Sequence, residues 1–267
     1  MVAMDLRLLR SAEEASAALA WLLGSDPAGE LGVVHVVSVW APPGRLPRVM
    51  RIGPQTPRSP TDAFLLAAAR ARSDAIVTSA GILRDEPRVR HRIGGPAPGA
   101  LRQWRRERVG LAEPARLLVL SRRGSVDPSH PALHARRKAL LLTGRGPAEQ
   151  RAAPLERRGV RVVAVPEPGA RAALDLLAEE GARRVLVEAG PAVSLDLYRP
   201  PPRVDELWLA RFCGASLPEP VQGSSFLADE RLEALFPLRS SQRVVREKSG
   251  PWCFQRLRRQ APASSAA

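Results

Sequence analysis

Apolar residues along this chain fall into short runs with two periods, one of strands and one of helices. Leu31–Trp40 (LGVVHVVSVW) is a nearly unbroken run rich in β-branched residues, which predicts a strand buried on both faces. DAIVTSAG from Asp74, RLLVLSRR from Arg116, ALLLT from Ala139, VRVVAVP from Val160 and RVLVEAG from Arg184 predict five more. Ser11 followed by Glu14, with Gly24 beyond, marks a capped first helix. Ser59-Pro60-Thr61-Asp62 starts a second, Ala-rich helix that runs to about Arg72: Ser caps, Pro suits the first helical position and an acid favours the first turn. Pro168–Glu180 has an apolar stripe of Ala173, Leu174 and Leu177 and stops at Gly181. QRVVREKSGPWCFQRLRR predicts a hairpin turning near Ser249-Gly250, while the prolines of APPGRLPRVMRIGPQTPRSP predict a loop.

The helix over 168–180 links two strand candidates, so it predicts a β-α-β unit with parallel strands and a right-handed crossover. The expected fold class is α/β: a mostly parallel, mixed central sheet with helices on both faces and a C-terminal antiparallel hairpin. Residues 1–30 are expected as an N-terminal helical extension, 31–258 as the main domain with a flexible Gly/Pro/Arg insertion at 91–110, and 259–267 as a disordered tail.

Composition sharpens this only in places. With 267 residues the chain can bury a sizeable core, and 45% hydrophobic content argues against disorder. The net charge of +14 is almost all arginine, since Lys138 and Lys248 are the two lysines. The arginines are spread along the chain, which favours a basic solvated surface over a nucleic-acid groove and keeps anionic small molecules as partners. Trp104 among the arginines of RQWRRERVG is the best local case for base stacking. Cys213 and Cys253 have no motif spacing and are expected as free thiols; the N-terminal stretch has no secretory apolar core and no run reaches membrane-spanning length, so a cytoplasmic protein is expected. His91, His130 and His134 have no metal-ligand spacing, and His35 inside its strand is expected to line a pocket or sit satisfied in the core.

In α/β sheets ligands gather at the carboxyl ends of strands. Three such ends carry candidate chemistry. Ser79-Ala80-Gly81-Ile82 has small residues that admit a close ligand, followed by Asp85 and Glu86 as acceptors and Arg92 as a phosphate donor. Ser121 and Arg122 suit a phosphate monoester. Glu188-Ala189-Gly190-Pro191-Ala192 turns from a strand into a helix, where amides can bind pyrophosphate. Each signal alone is weak, and the Gly-x-Gly-x-x-Gly fingerprint is absent from the chain.

Their order carries more than any one of them. DAIVTSAGILRDEPRVRHR, a strand ending in Ser-Arg-Arg, a β-α-β unit ending in Glu-Ala-Gly-Pro, and Val204-Asp205-Glu206-Leu207 together resemble the dihydrofolate-reductase-like fold. More closely, they resemble the reductase domain of bacterial riboflavin biosynthesis proteins, the pyrimidine reductase family. That resemblance, over roughly Gly32–Arg258, implies NADPH held by Ser79–Ile82 and Glu188–Ala192, with Ser121 and Arg122 at the 2′-phosphate. It implies a phosphoribosyl substrate near Asp85, Glu86 and Arg92, with Ser38 and Trp40 beside it, and a hydride transfer that opens a ribose to a ribityl chain. A homodimer is also implied. The chain departs from the family pattern in four places. Ser38–Gly44 has no counterpart of the acid in Ser-Leu-Asp-Gly, Ile82 replaces a Thr, Ala189 replaces a Gly, and no zinc pattern of a deaminase partner domain is present. Three readings therefore stand: an NADPH-dependent reductase, a non-catalytic ligand-binding or interaction protein on the same fold, and a basic nucleic-acid-binding protein.

Overall fold

Alternation inside the strands splits the interior into two apolar layers. In the computed structural model, which describes residues 5–41, 44–133 and 138–260, Leu117, Val119, Ala139 and Leu141 face one layer while Leu118, Leu120, Leu140 and Leu142 face the other. Both layers must be covered, which accounts for strands apolar at every position.

In chain order the first half comprises α1 (Ala12–Leu23), β1 (Gly32–Trp40), β2 (Arg48–Met50), α2 (Pro60–Arg72), β3 (Ala75–Ser79), α3 (Ala80–Asp85), α4 (Pro98–Trp104), β4 (Arg116–Leu120) and β5 (Ala139–Thr143). The second comprises α5 (Arg145–Glu156), β6 (Arg161–Ala164), α6 (Ala170–Glu179), β7 (Arg184–Val187), α7 (Pro191–Ser194), β8 (Glu206–Phe212), β9 (Gln222–Ser225), α8 (Asp229–Leu235), β10 (Leu238–Arg239), β11 (Arg243–Glu247) and β12 (Gly250–Arg258). Strands run β10-β12-β8-β1-β7-β3-β4-β5-β6 across one sheet. From β8 to β6 every neighbouring pair is parallel; β12 is antiparallel to β8 and forms the C-terminal hairpin with β11. Helices α1, α2 and α4 cover one face and α6 and α8 the other. The expected α/β class, mixed sheet and terminal hairpin are all present.

The predicted caps are present as well. Ser11 Oγ accepts from Glu14 N at 3.1 Å while Glu14 Oε2 accepts from Ser11 N at 3.1 Å, and Gly24 closes the helix at φ +84°. Ser59 Oγ accepts from Asp62 N at 2.9 Å with Pro60 at the first helical position.

Several expectations are corrected. Helix α1 is no appendage: Ala15, Ala18, Leu19 and Leu22 are fully buried in the main apolar layer. The segment expected as a flexible insertion contains α4, and its Trp104 is fully buried with Nε1 3.2 Å from Asp26, so it offers no stacking face. Arg105 beyond it bonds the carbonyls of Ala71 (2.7 Å) and Ser73 (2.6 Å), satisfying the C-terminal carbonyls of α2. The proline-rich loop contains β2, which pairs with β1 and β9; partners far away in sequence, not local propensity, make it a strand. The β-α-β unit joins β6 at the sheet edge to β7 at its centre, with three strands between them. Of the predicted tail, Arg259 is tied to the Asp205 and Pro202 carbonyls, and 261–267 lie outside the described residues, as do His134, Pro42 and Pro43. Among the described residues no helix is long and apolar enough to cross a membrane.

Candidate functional site

The place of β7 builds the site. Lying between β1 and β3, it sets the Glu188 corner beside both the Ser79 corner and the Ser38 end of β1. A cleft of about 610 Å³ opens there, bounded by β1, α2, α3, the β7 corner and the β2–β9 ribbon. That is within the usual range for a small-molecule site.

Glu188 is anchored from two sides. Arg70 of α2 bonds it in a fork, Nε at 2.7 Å and Nη2 at 2.6 Å, and His91 Nδ1 donates at 2.8 Å. Burial alone would raise this carboxyl, but Arg70 and His91 outweigh it and hold Glu188 well below the ordinary range. The side chain is thus engaged by the protein. Next to it, His35 Nδ1 lies 2.6 Å from Tyr198 Oη, and burial lowers its pKa to about 4, partly opposed by a bond with the Ala189 backbone. A neutral His35 therefore ties β1 to the β7 corner and lines the cleft, as expected of it.

An acid absent from the Ser38–Gly44 segment arrives from another element. Asp62, at the start of α2, reaches the cleft and accepts from Ser38 Oγ at 2.8 Å. Burial raises its pKa to about 6; the Ser38 bond works against that and the Glu247 charge adds to it. A carboxyl poised there can hold or give a proton near neutral pH. Asp85 and Glu86 also line the cleft, and burial raises Glu86. The cleft thus offers several carboxyl acceptors, with Arg51 as a cation at its β2 wall.

Two glycines show which space the protein fills and which it leaves. A Cβ on Gly223 would lie 2.4 Å from the Val49 carbonyl oxygen, so the β2–β9 ribbon closes only with glycine there. A Cβ on Gly190 would meet nothing within 4 Å, and its φ of −64° suits any residue. Beside it, Ser194 lines the cleft, and its buried Oγ has no hydrogen-bond partner among the described residues. An open face and an orphaned hydroxyl fit a bound group at this corner. Ala189 packs its methyl in the apolar layer under α6, and its peptide to Gly190 is not cis.

Of the remaining candidates, Ser38, Ile82, Pro191, Asp85, Glu86 and the Glu188–Gly190 stretch line the cleft, whereas Ser79, Ala80, Gly81 and Ala192 stand behind its rim. Ser121 and Arg122 lie farther along the same edge, past the end of β4, and do not line it. The next strand end carries Thr143, buried, with its Oγ1 unpartnered among the described residues. Two placements are corrected. Trp40 is turned away, buried, with Nε1 donating to the Gly214 carbonyl at 3.0 Å, so it does not face the cleft. Arg92 lies beyond His91 in an adjoining hollow, and Arg51 and Arg70 are the cations of the cleft. Sequence reasoning missed Asp62, Arg70, His91 and Ser194. The Ser-Pro-Thr-Asp start was visible as a helix signal, but nothing local shows that Ser38 lies under its acid.

No protein-family model matches the chain, and no curated protein matches it. Solved structures do. A pyrimidine reductase-like protein from Corynebacterium diphtheriae superposes with a TM-score of 0.63 at 20% identity, over 92% of this chain and 99% of that one. Acinetobacter baumannii RibD gives 0.57 at 16% identity over 86% of this chain. A Thermotoga maritima diaminohydroxyphosphoribosylaminopyrimidine deaminase/5-amino-6-(5-phosphoribosylamino)uracil reductase gives 0.50 at 12% identity over 85%. The chain spans 58% of the RibD chain and 56% of the Thermotoga one. With the parallel core, the central β7 and the C-terminal hairpin in place, the chain has the dihydrofolate-reductase-like fold of the pyrimidine reductases.

Proposed function

We propose that the protein is an NADPH-dependent reductase of a small, hydroxylated heterocyclic substrate, most like 5-amino-6-(5-phosphoribosylamino)uracil. The observation that carries this reading is the cleft itself: a proton-holding Asp62 on one wall and an unfilled Gly190 corner with the orphaned Ser194 hydroxyl on the other. The Ser38–Gly44 segment lacks the family's acid, which spoke for a non-catalytic relative; Asp62 beside Ser38 answers that objection.

NADPH bound at this corner would supply a hydride. The chain's own residues do the rest. Gly190 lets the cofactor approach the backbone and Ser194 donates or accepts at its surface. The Arg70–Glu188–His91 cluster fixes the corner, and neutral His35 steadies Ala189. Asp85 and Glu86 accept hydroxyls of a sugar or ribityl chain. Asp62 would give a proton to the ribose ring oxygen as C1′ accepts hydride and the C1′–O bond breaks, with Ser38 holding its carboxyl in place. Ser121, Arg122 and Thr143, at the neighbouring strand ends, would bind an adenosine 2′-phosphate and so select NADPH over NADH.

The test is NADPH oxidation at 340 nm with the aminopyrimidine ribose phosphate as acceptor. Activity that disappears in Asp62→Asn while NADPH still binds supports the reading; wild-type rates equal to those of Asp62→Asn overturn it.

A further inference from the structure

A second hollow lies behind the wall formed by Arg70 and His91, which border both spaces. It measures about 510 Å³, large enough for a small organic ligand, and opens through a neighbouring cavity of about 530 Å³. Its floor is apolar: Ile93, Pro114 and Pro131 reach its surface, and Ile76 of β3, Ala115 just before β4 and Ala132 lie buried beneath them. Across both cavities the polar lining among the described residues is arginine, Arg70, Arg88, Arg90, Arg92, Arg102, Arg105 and Arg106, together with His91 and no Asp or Glu.

These arginines divide by what they already do. Arg70 is held by Glu188, and Arg105 by the carbonyls that end α2. Arg92, Arg102 and Arg106 make no side-chain hydrogen bond or ion pair among the described residues. Arg102 in α4 and Arg106 in the π-helical turn that continues it (Arg105–Val109) stand one turn apart, in the segment whose Trp104 anchors it to Asp26. A rigid helix therefore presents two unneutralised guanidinium groups over an apolar floor. Acids are available nearby in sequence, at Glu107 and Glu113, yet neither lines the hollow. The concave wall concentrates a positive field that an apolar floor does not screen.

We propose that this hollow is a second ligand site, separate from the cleft, for a small organic phosphate with a flat apolar body. The phosphate would pair with Arg102 and Arg106 in forked contacts, and the body would lie against Ile93, Pro114 and Pro131. The site does not depend on the reductase reading, because none of these residues belongs to the cleft.

The experiment uses 1-naphthyl phosphate, whose fluorescence reports binding, with 1-naphthol and inorganic phosphate as probes of each half. Three proteins are titrated: the wild type, the double variant Arg102→Ala/Arg106→Ala, and Ala112→Trp, which fills the hollow from an exposed lining position. Folding of each is checked by circular dichroism and Tm, and each is repeated at saturating NADPH. The expected result is saturable binding to the wild type that is weakened about tenfold or more in both variants, is weaker still for either half-probe, and is unchanged by NADPH. Binding that is absent from the wild type, equal in all three proteins, or displaced by NADPH overturns the proposal.

Discussion

Asp62 shows how one side chain can set both activity and stability. Its folded pKa of about 6 lies above the ordinary 3.8, so the folded state keeps a proton that the unfolded state releases. Its stabilising contribution is therefore present below about pH 4 and is lost as pH rises to about 6. Asp62→Asn is expected to leave stability at pH 4 near the wild type and to raise it at pH 7 by about 1–2 kcal/mol, measured by urea unfolding at both pH values. If the protein is the proposed reductase, the same variant is expected to lose about 100-fold or more in turnover, and the wild-type rate to fall as pH rises through about 6. Glu188 has the opposite sign. Its carboxyl is held low, so its contribution is present above the ordinary carboxylate range and declines only in acid. Glu188→Gln leaves Arg70 buried opposite a neutral amide and is expected to cost about 3 kcal/mol in the same assay at pH 7.

Elements differ in how far their own sequence determines them. The caps of α1 and α2 and the apolar runs of β3, β4, β5 and β7 are local facts, and they were legible in the sequence. Helix α5 was not: only Leu155 among its residues is buried, so it has no apolar stripe to read. Strand β2 was hidden by the prolines that flank it, and its ladder is made with the distant β1 and β9. That ribbon rests on Gly223. Gly223→Ala would press a methyl on the Val49 carbonyl, so it is expected to lower Tm by several degrees and to loosen the cleft wall. Gly190→Ala meets no protein atom and should change Tm little, while weakening NADPH binding about tenfold. The pair, read by thermal denaturation and cofactor titration, separates a glycine required by the fold from one required by a ligand.

At the scale of the molecule, the strand ends and their order were legible, and with them half of the site. The other half rests on partners far apart in the chain: Ser38 and Asp62 are 24 residues apart, His91 and Glu188 97, and Arg70 and Glu188 118. No periodicity reports such pairs, because the sheet order that sets β7 between β1 and β3 creates them. The excess of arginine has a similar explanation. Some of it is structural: Arg72, Arg105 and Arg256 are buried and bonded to carbonyls or to Glu206, and the net charge of +14 therefore overstates the free positive surface. Cofactor binding at the β7 corner is tested by a titration of nicotinamide fluorescence with NADPH and NADH against the wild type and Gly190→Trp. Saturable binding of NADPH, tighter than that of NADH and abolished by Gly190→Trp in a protein of unchanged Tm, is the predicted result. NADPH binding that is absent from the wild type, or that survives Gly190→Trp intact, would contradict the assignment of the β7 corner as the cofactor seat.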